Sequence, residues 1–119
     1  MNSSLPNYIK TFRRRVFLSQ DELAQLLGTA SGTTVLRHEA DQRVPTLDTA
    51  LAYAATLQVD PRELFAGRHE QQARLVSQRA ATLLESVKEQ LPTEDVLQKI
   101  AFLELLVACD EPRIVPCED

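Results

Sequence analysis

Ser19-Gln20-Asp21-Glu22 constrains the chain more than any other stretch, because four consecutive residues spell the start of a helix. A serine hydroxyl there accepts from the amide three residues on, and the glutamate reaches back to the serine amide. Leu18 and Leu23 flank the cap with the spacing of a hydrophobic staple, and Leu23, Leu26 and Leu27 continue one apolar face. Gly28 then ends the helix, since it adopts the left-handed conformation without a Cβ penalty. The punctuation returns at Asp60-Pro61-Arg62-Glu63, with an acidic cap, proline at the first helical position and glutamate three residues after the cap. Val59 and Leu64 supply a second staple, and Gly67 is expected to stop this short helix.

Between these two signals the spacing predicts a helix over 46–57, capped by Thr46 and apolar on so many sides that it belongs at the centre of a small core. Residues 6–16 read as an amphipathic first helix, with Ile9, Phe12 and Val16 on one face and Lys10, Arg13 and Arg14 elsewhere. Residues 29–41 are ambiguous by propensity, because Gly32, Thr33, Thr34 and Val35 are mediocre helix formers, but a cap at Ser31 decides for a helix. With 5% aromatic residues, no Trp and only three glycines, a many-turned β architecture is excluded. The fold class is all-α, with five helices ending near Gly67.

Beyond Gly67, Ala73, Val76, Ala80, Leu83 and Val87 recur in alternating steps of three and four, a heptad-like stripe. Pro92 interrupts it, and Thr93-Glu94-Asp95 restarts a helix with a cap and first-turn acids. Val96, Leu97, Ile100, Leu103, Leu106 and Val107 give that helix a broad apolar face, wider than one neighbour can shield. The organisation read from this is a domain at 1–67, a two-helix extension at 68–109 and a loose tail at 110–119. Leu83, Val87, Ile100, Leu103 and Leu106 are the expected contacts with a partner chain. A seam within one hairpin is the alternative for the same stripe.

From Leu18 to Gly28, then Val35, Arg37, Glu39 and Pro45-Thr46-Leu47, the sequence resembles the Cro and phage-repressor (XRE) class of helix-turn-helix DNA-binding domains. Val59-Asp60-Pro61-Arg62-Glu63-Leu64-Phe65 is similar to the usual end of that domain, so the resemblance covers about residues 7–67. It implies a five-helix, lambda-repressor-like bundle whose third helix enters the major groove while the second crosses the phosphate backbone. On that mapping Gln20 opens the second helix and touches a phosphate, and Arg43 neutralises another. Gly32, Thr33, Leu36 and Arg37 are then expected on the outward face of the recognition helix. Arg37 has the strongest chemistry, because a guanidinium donates two hydrogen bonds to guanine O6 and N7. His38 falls where the family buries an apolar or aromatic residue, and Glu39 is expected to brace the domain.

Charge distribution agrees. The net charge is −4, yet residues 1–45 contain six basic and four acidic residues, whereas residues 68–119 contain six basic and ten acidic ones. The front of the chain is therefore free to face a polyanion such as double-stranded DNA. Cys109 and Cys117 form no CxxC motif and have no histidine near them, so neither a metal nor a cofactor is expected. No nucleophile, carboxylate pair or phosphate-binding glycine loop suggests an enzyme. Without a signal-peptide core or a long apolar run, a cytoplasmic location is expected and a membrane is not. The reading is a sequence-specific transcriptional regulator that binds a palindromic operator as a homodimer. Its alternative is a protein-interaction adaptor, or antitoxin-like module, whose helix-turn-helix no longer reads bases.

Overall fold

A computed structural model describes residues 4–29 and 31–108, and every regular element among them is helical. The helices are α1 (Ile9–Arg15), α2 (Gln20–Leu27), α3 (Gly32–Glu39), α4 (Leu47–Leu57), α5 (Pro61–Leu64), α6 (Ala66–Val87) and α7 (Glu94–Ala108). The chain divides into two units, Met1–Arg68 and His69–Asp119. Cys109, Cys117 and the expected tail at 110–119 lie outside the described residues.

The caps read from the sequence set the helices of the first unit. Ser19 Oγ accepts from the Glu22 amide at 3.0 Å while the Ser19 amide donates to Glu22 Oε1 at 2.9 Å, closing the capping box. Gly28 takes the left-handed conformation, with φ of 76°. Thr46 caps α4 through the Thr49 amide at 3.2 Å, and Asp60 caps α5 through the Arg62 amide at 2.8 Å. Ser31 likewise accepts from the Thr33 amide, at 3.2 Å. Ile9, Leu23, Val35, Tyr53 and Leu64 are fully buried in one core that α1 to α5 enclose.

Two sequence expectations change here. Val16 lies past the end of α1 and is exposed, and the position that shares the buried face of Ile9 is Arg13, one turn on. Gly67 stops no helix: α5 already ends at Leu64, and Gly67 lies in the first turn of α6. Its amide donates to the Leu5 carbonyl at 2.9 Å, and a Cβ at this position would overlap that carbonyl. The glycine is there because the N-terminal segment crosses the helix in backbone contact.

In the second unit α6 from His69 onward and α7, joined by residues 88–93, form a helical hairpin. Thr93 Oγ1 accepts from the Val96 amide at 3.3 Å, capping α7 as expected. The core consists of Ala80, Leu84, Val87, Val96 and Leu103, with Ile100, Leu106 and Val107 packed against it. Heptad spacing holds, but the buried residues on α6 are Glu70, Ser77, Ala80, Leu84 and Val87, while Val76 and Leu83 are exposed. Ser77 can take the inner position because its hydroxyl donates to the Val107 carbonyl at 3.3 Å, one of the last-turn carbonyls that lack an intrahelical partner. This corrects the expected partner-chain contacts. Val87 and Leu103 are buried, and Ile100 and Leu106 partly buried, within one chain, so only Leu83 of the five faces outward.

Candidate nucleic-acid interface

α2 and α3 meet at a turn held from both sides. Asp21, in the first turn of α2, accepts from the Gly32 amide at 3.0 Å. A Cβ at position 32 would overlap the Asp21 carboxylate and the α2 backbone, so the two helix starts approach as closely as they do because residue 32 is glycine. Gly32 is consequently buried, which corrects its expected place on the outward face of the helix. Thr33, Leu36 and Arg37 do face outward, one turn apart along α3. Among the described residues no acidic side chain pairs with Arg37 or with Arg43, so both guanidinium groups stand ready for an anion.

The other end of α3 is fixed by charge. Glu39 accepts from Arg13 Nε at 2.6 Å, from Arg13 Nη2 at 3.3 Å and from Gln20 Nε2 at 3.0 Å. Arg13 Nη1 also donates to the Leu18 carbonyl at 2.9 Å, so one guanidinium spans α1, the following turn and the recognition helix. Both side chains of this pair are nearly inaccessible, at 10% and 4%. A buried pair of this kind is worth little net free energy against an apolar replacement, but losing one member leaves a stranded charge. Gln20 holds Glu39 through one amide hydrogen and keeps a second for an outside acceptor.

His38, on the inward side of α3, is buried among α1 and α4. Its Nδ1 lies 2.7 Å from the Tyr53 hydroxyl, with the rings edge-to-face at 5.5 Å, and its carbonyl accepts from Asn7 Nδ2 at 2.9 Å. Asn7 Oδ1 accepts in turn from the Ile9 amide, the first of α1, at 3.1 Å. Burial, and secondarily the Arg43 charge, lowers the His38 pKa below 6.5. Burial, and secondarily the Glu39 charge, raises that of Tyr53. Both groups are therefore neutral at pH 7 and serve the position of α3.

Residues 9–64 match the helix-turn-helix family model. This segment is a Cro/C1-type helix-turn-helix domain of the XRE family. Domains of this family are DNA-binding regulatory domains, and residues 9–64 are accordingly one of the XRE type. Neither the curated proteins nor the solved structures gave a match to the chain. No helix among the described residues is long and apolar enough to cross a membrane.

Sequence reasoning missed the parts of the XRE domain that orient the recognition helix. Arg13 reads as one of three consecutive arginines, and only its i+4 relation to Ile9 separates it from its solvated neighbours Arg14 and Arg15. Asn7 and Tyr53 carry no signal of their own, since their partners lie 31 and 15 residues away.

Proposed function

We propose that the protein is a sequence-specific transcriptional regulator, acting in the cytoplasm, that binds a palindromic DNA operator as a dimer. Thr33, Leu36 and Arg37 read base edges in the major groove, and Gln20 and Arg43 hold phosphates on either side of it. The observation that supports this best is the pairing of an outward row on α3, which includes an uncommitted arginine, with a buried frame that fixes α3 at both ends. An uncommitted guanidinium on that row suits the two acceptors of a guanine edge in the major groove.

Selection from genomic duplex fragments, including the region upstream of its own gene, tests the reading. Enrichment of one short inverted repeat is expected. Arg37→Ala then weakens specific binding by about 1–3 kcal/mol and relaxes preference at one base pair per half-site. Gln20→Ala and Arg43→Ala weaken all sequences alike, and Arg43→Ala alone flattens the salt dependence, by roughly one unit of slope. If no sequence is enriched, the adaptor reading replaces this one.

A further inference from the structure

The loop that follows the recognition helix carries an acid beside a group meant for a polyanion. Asp41 lies two residues before Arg43, the guanidinium proposed to hold a phosphate. Residues 41–43 wrap round the end of α3: the Asp41 amide donates to the His38 carbonyl at 3.1 Å, and the Gln42 and Arg43 amides donate to the Arg37 carbonyl at 2.9 and 3.3 Å. Two residues of chain span at most about 7 Å, so an arginine side chain reaches a carboxylate at that separation. Asp41 nevertheless pairs elsewhere. Its Oδ1 accepts from Arg68 Nη2 at 2.7 Å and from Arg68 Nε at 3.2 Å. Arg68 stands in the first turn of α6, inside the first unit but beyond the segment 9–64 that matches the helix-turn-helix family.

The backbone fixes where this arginine starts. The Leu5 and Pro6 carbonyls accept from the Gly67 and Arg68 amides at 2.9 and 3.4 Å, two of the first-turn donors that a helix leaves without a partner. Asn7, next in the same strap, donates to the His38 carbonyl at 2.9 Å. The start of α6 and the end of α3 are thus tied to one short segment, and the Arg68 pair closes the link through side chains.

We propose that Arg68 is a positioning residue for DNA binding: by occupying the Asp41 carboxylate it keeps Arg43 free for a phosphate. Without Arg68, the nearest cation to Asp41 along the chain is Arg43, and a carboxylate there competes with DNA for the guanidinium. The two side chains of the pair are 33% and 31% exposed, so the pair adds little to stability, and its value lies in which partner Asp41 takes. The inference rests on the proposed phosphate role of Arg43 and extends the binding machinery to a residue outside the helix-turn-helix segment.

Titration of the selected inverted repeat, and of a mixed-sequence duplex, with full-length variants tests it. Losing one phosphate contact near physiological salt weakens binding about five-fold, the loss expected of Arg43→Ala. Arg68→Ala is expected to lose about as much on both duplexes, and adding Asp41→Asn to it restores native affinity. Arg43→Ala combined with Arg68→Ala is expected to stay at about five-fold, where two independent contacts would lose about 25-fold. Losses that multiply, or an Arg68→Ala chain that binds as the native chain does, overturn the proposal. Circular dichroism is expected to show native helicity in every variant, because the pair is partly exposed. The pairing is also read without DNA, by NMR of the Arg43 Nε–H, which exchanges fast in a free guanidinium and more slowly when a carboxylate holds it. Exchange slowed by Arg68→Ala and restored by Asp41→Asn is expected, and unchanged exchange overturns the proposal. If exchange slows while the native chain binds neither duplex, the operator reading fails and the guarding of Arg43 by Arg68 stands.

Discussion

Each connection from α1 to α5 turns on one left-handed residue, Phe17, Gly28, Asp41 or Gln58, whereas among the described residues the second unit has none. The contrast extends to the cores. The first unit buries an arginine, a histidine and an asparagine among its apolar side chains, whereas the second buries Glu70 and Ser77 beside an aliphatic seam. Tight turns and directional hydrogen bonds specify the angle at which one helix meets another, and a recognition helix must be held at a defined angle to its neighbours. An apolar seam specifies proximity with less angular control, enough for helices whose task is to associate. The first unit should therefore fail as a whole when a polar contact is cut, and the second should fail locally.

Glu39→Ala gives the largest effect. It leaves the Arg13 guanidinium buried without its carboxylate and is expected to cost about 3–5 kcal/mol, read by urea unfolding of the first unit. Replacing both partners, Arg13→Met with Glu39→Met, should recover most of that loss while DNA binding stays poor, because the pair is kept for orientation. If the double variant is as unstable as the single one, the pair is a stability element and the contrast between the units weakens.

Leu103→Ala cuts the seam of the hairpin and is expected to cost about 3 kcal/mol. Hydrogen exchange should then accelerate at the amides of α7 and at the C-terminal turns of α6, with those of α2 and α3 unchanged. Acceleration in α2 and α3 as well would show that the two units share one cooperative transition.

What the sequence made legible follows the same division. Caps are local, so Ser19, Gly28, Thr46 and Asp60 could be placed from neighbouring residues alone, and five helices in the first unit followed. The seam of the hairpin was legible in its period but not in its phase. Ala73 and Ala80 fit the expected row and the observed one, and only the Val107 carbonyl, thirty residues away, makes Ser77 the better inner residue than Val76. Gly32 and Gly67 were visible as glycines, yet their reason is a close approach by Asp21 in one case and Leu5 in the other, which no spacing reveals.

The buried His38 separates the units in pH. Its folded pKa lies below 6.5 while the unfolded side chain titrates near 6.5, so below that pH the unfolded chain binds more protons than the folded one. Stability from this group is fully present above pH 6.5 and is lost as pH falls from 6.5 toward the folded value. Thermal unfolding of the native chain and of His38→Gln across this window should show the difference between them shrinking with acid, while the helicity of α6 and α7 responds little. A constant difference would mean that Tyr53 holds the imidazole equally well when it is charged.

The smallest effect runs in the opposite direction. Phe17 holds φ at 61° with 91% of its surface exposed, so its ring makes almost no contact that substitution could lose. A non-glycine residue in this region costs roughly 1–2 kcal/mol, and glycine adopts it freely at the expense of greater chain entropy when unfolded. Phe17→Gly is therefore expected to stabilise the first unit by about 0.5–1 kcal/mol. Gln58, with φ of 60°, is the internal control: its side chain donates to the Ala55 carbonyl at 2.8 Å, so Gln58→Gly forfeits a hydrogen bond and should gain less. Chemical denaturation of the two variants side by side measures the difference. A Phe17→Gly chain no more stable than Gln58→Gly would mean that the Arg13 contact to the Leu18 carbonyl already compensates the turn, and that the left-handed residues of the first unit cost it nothing.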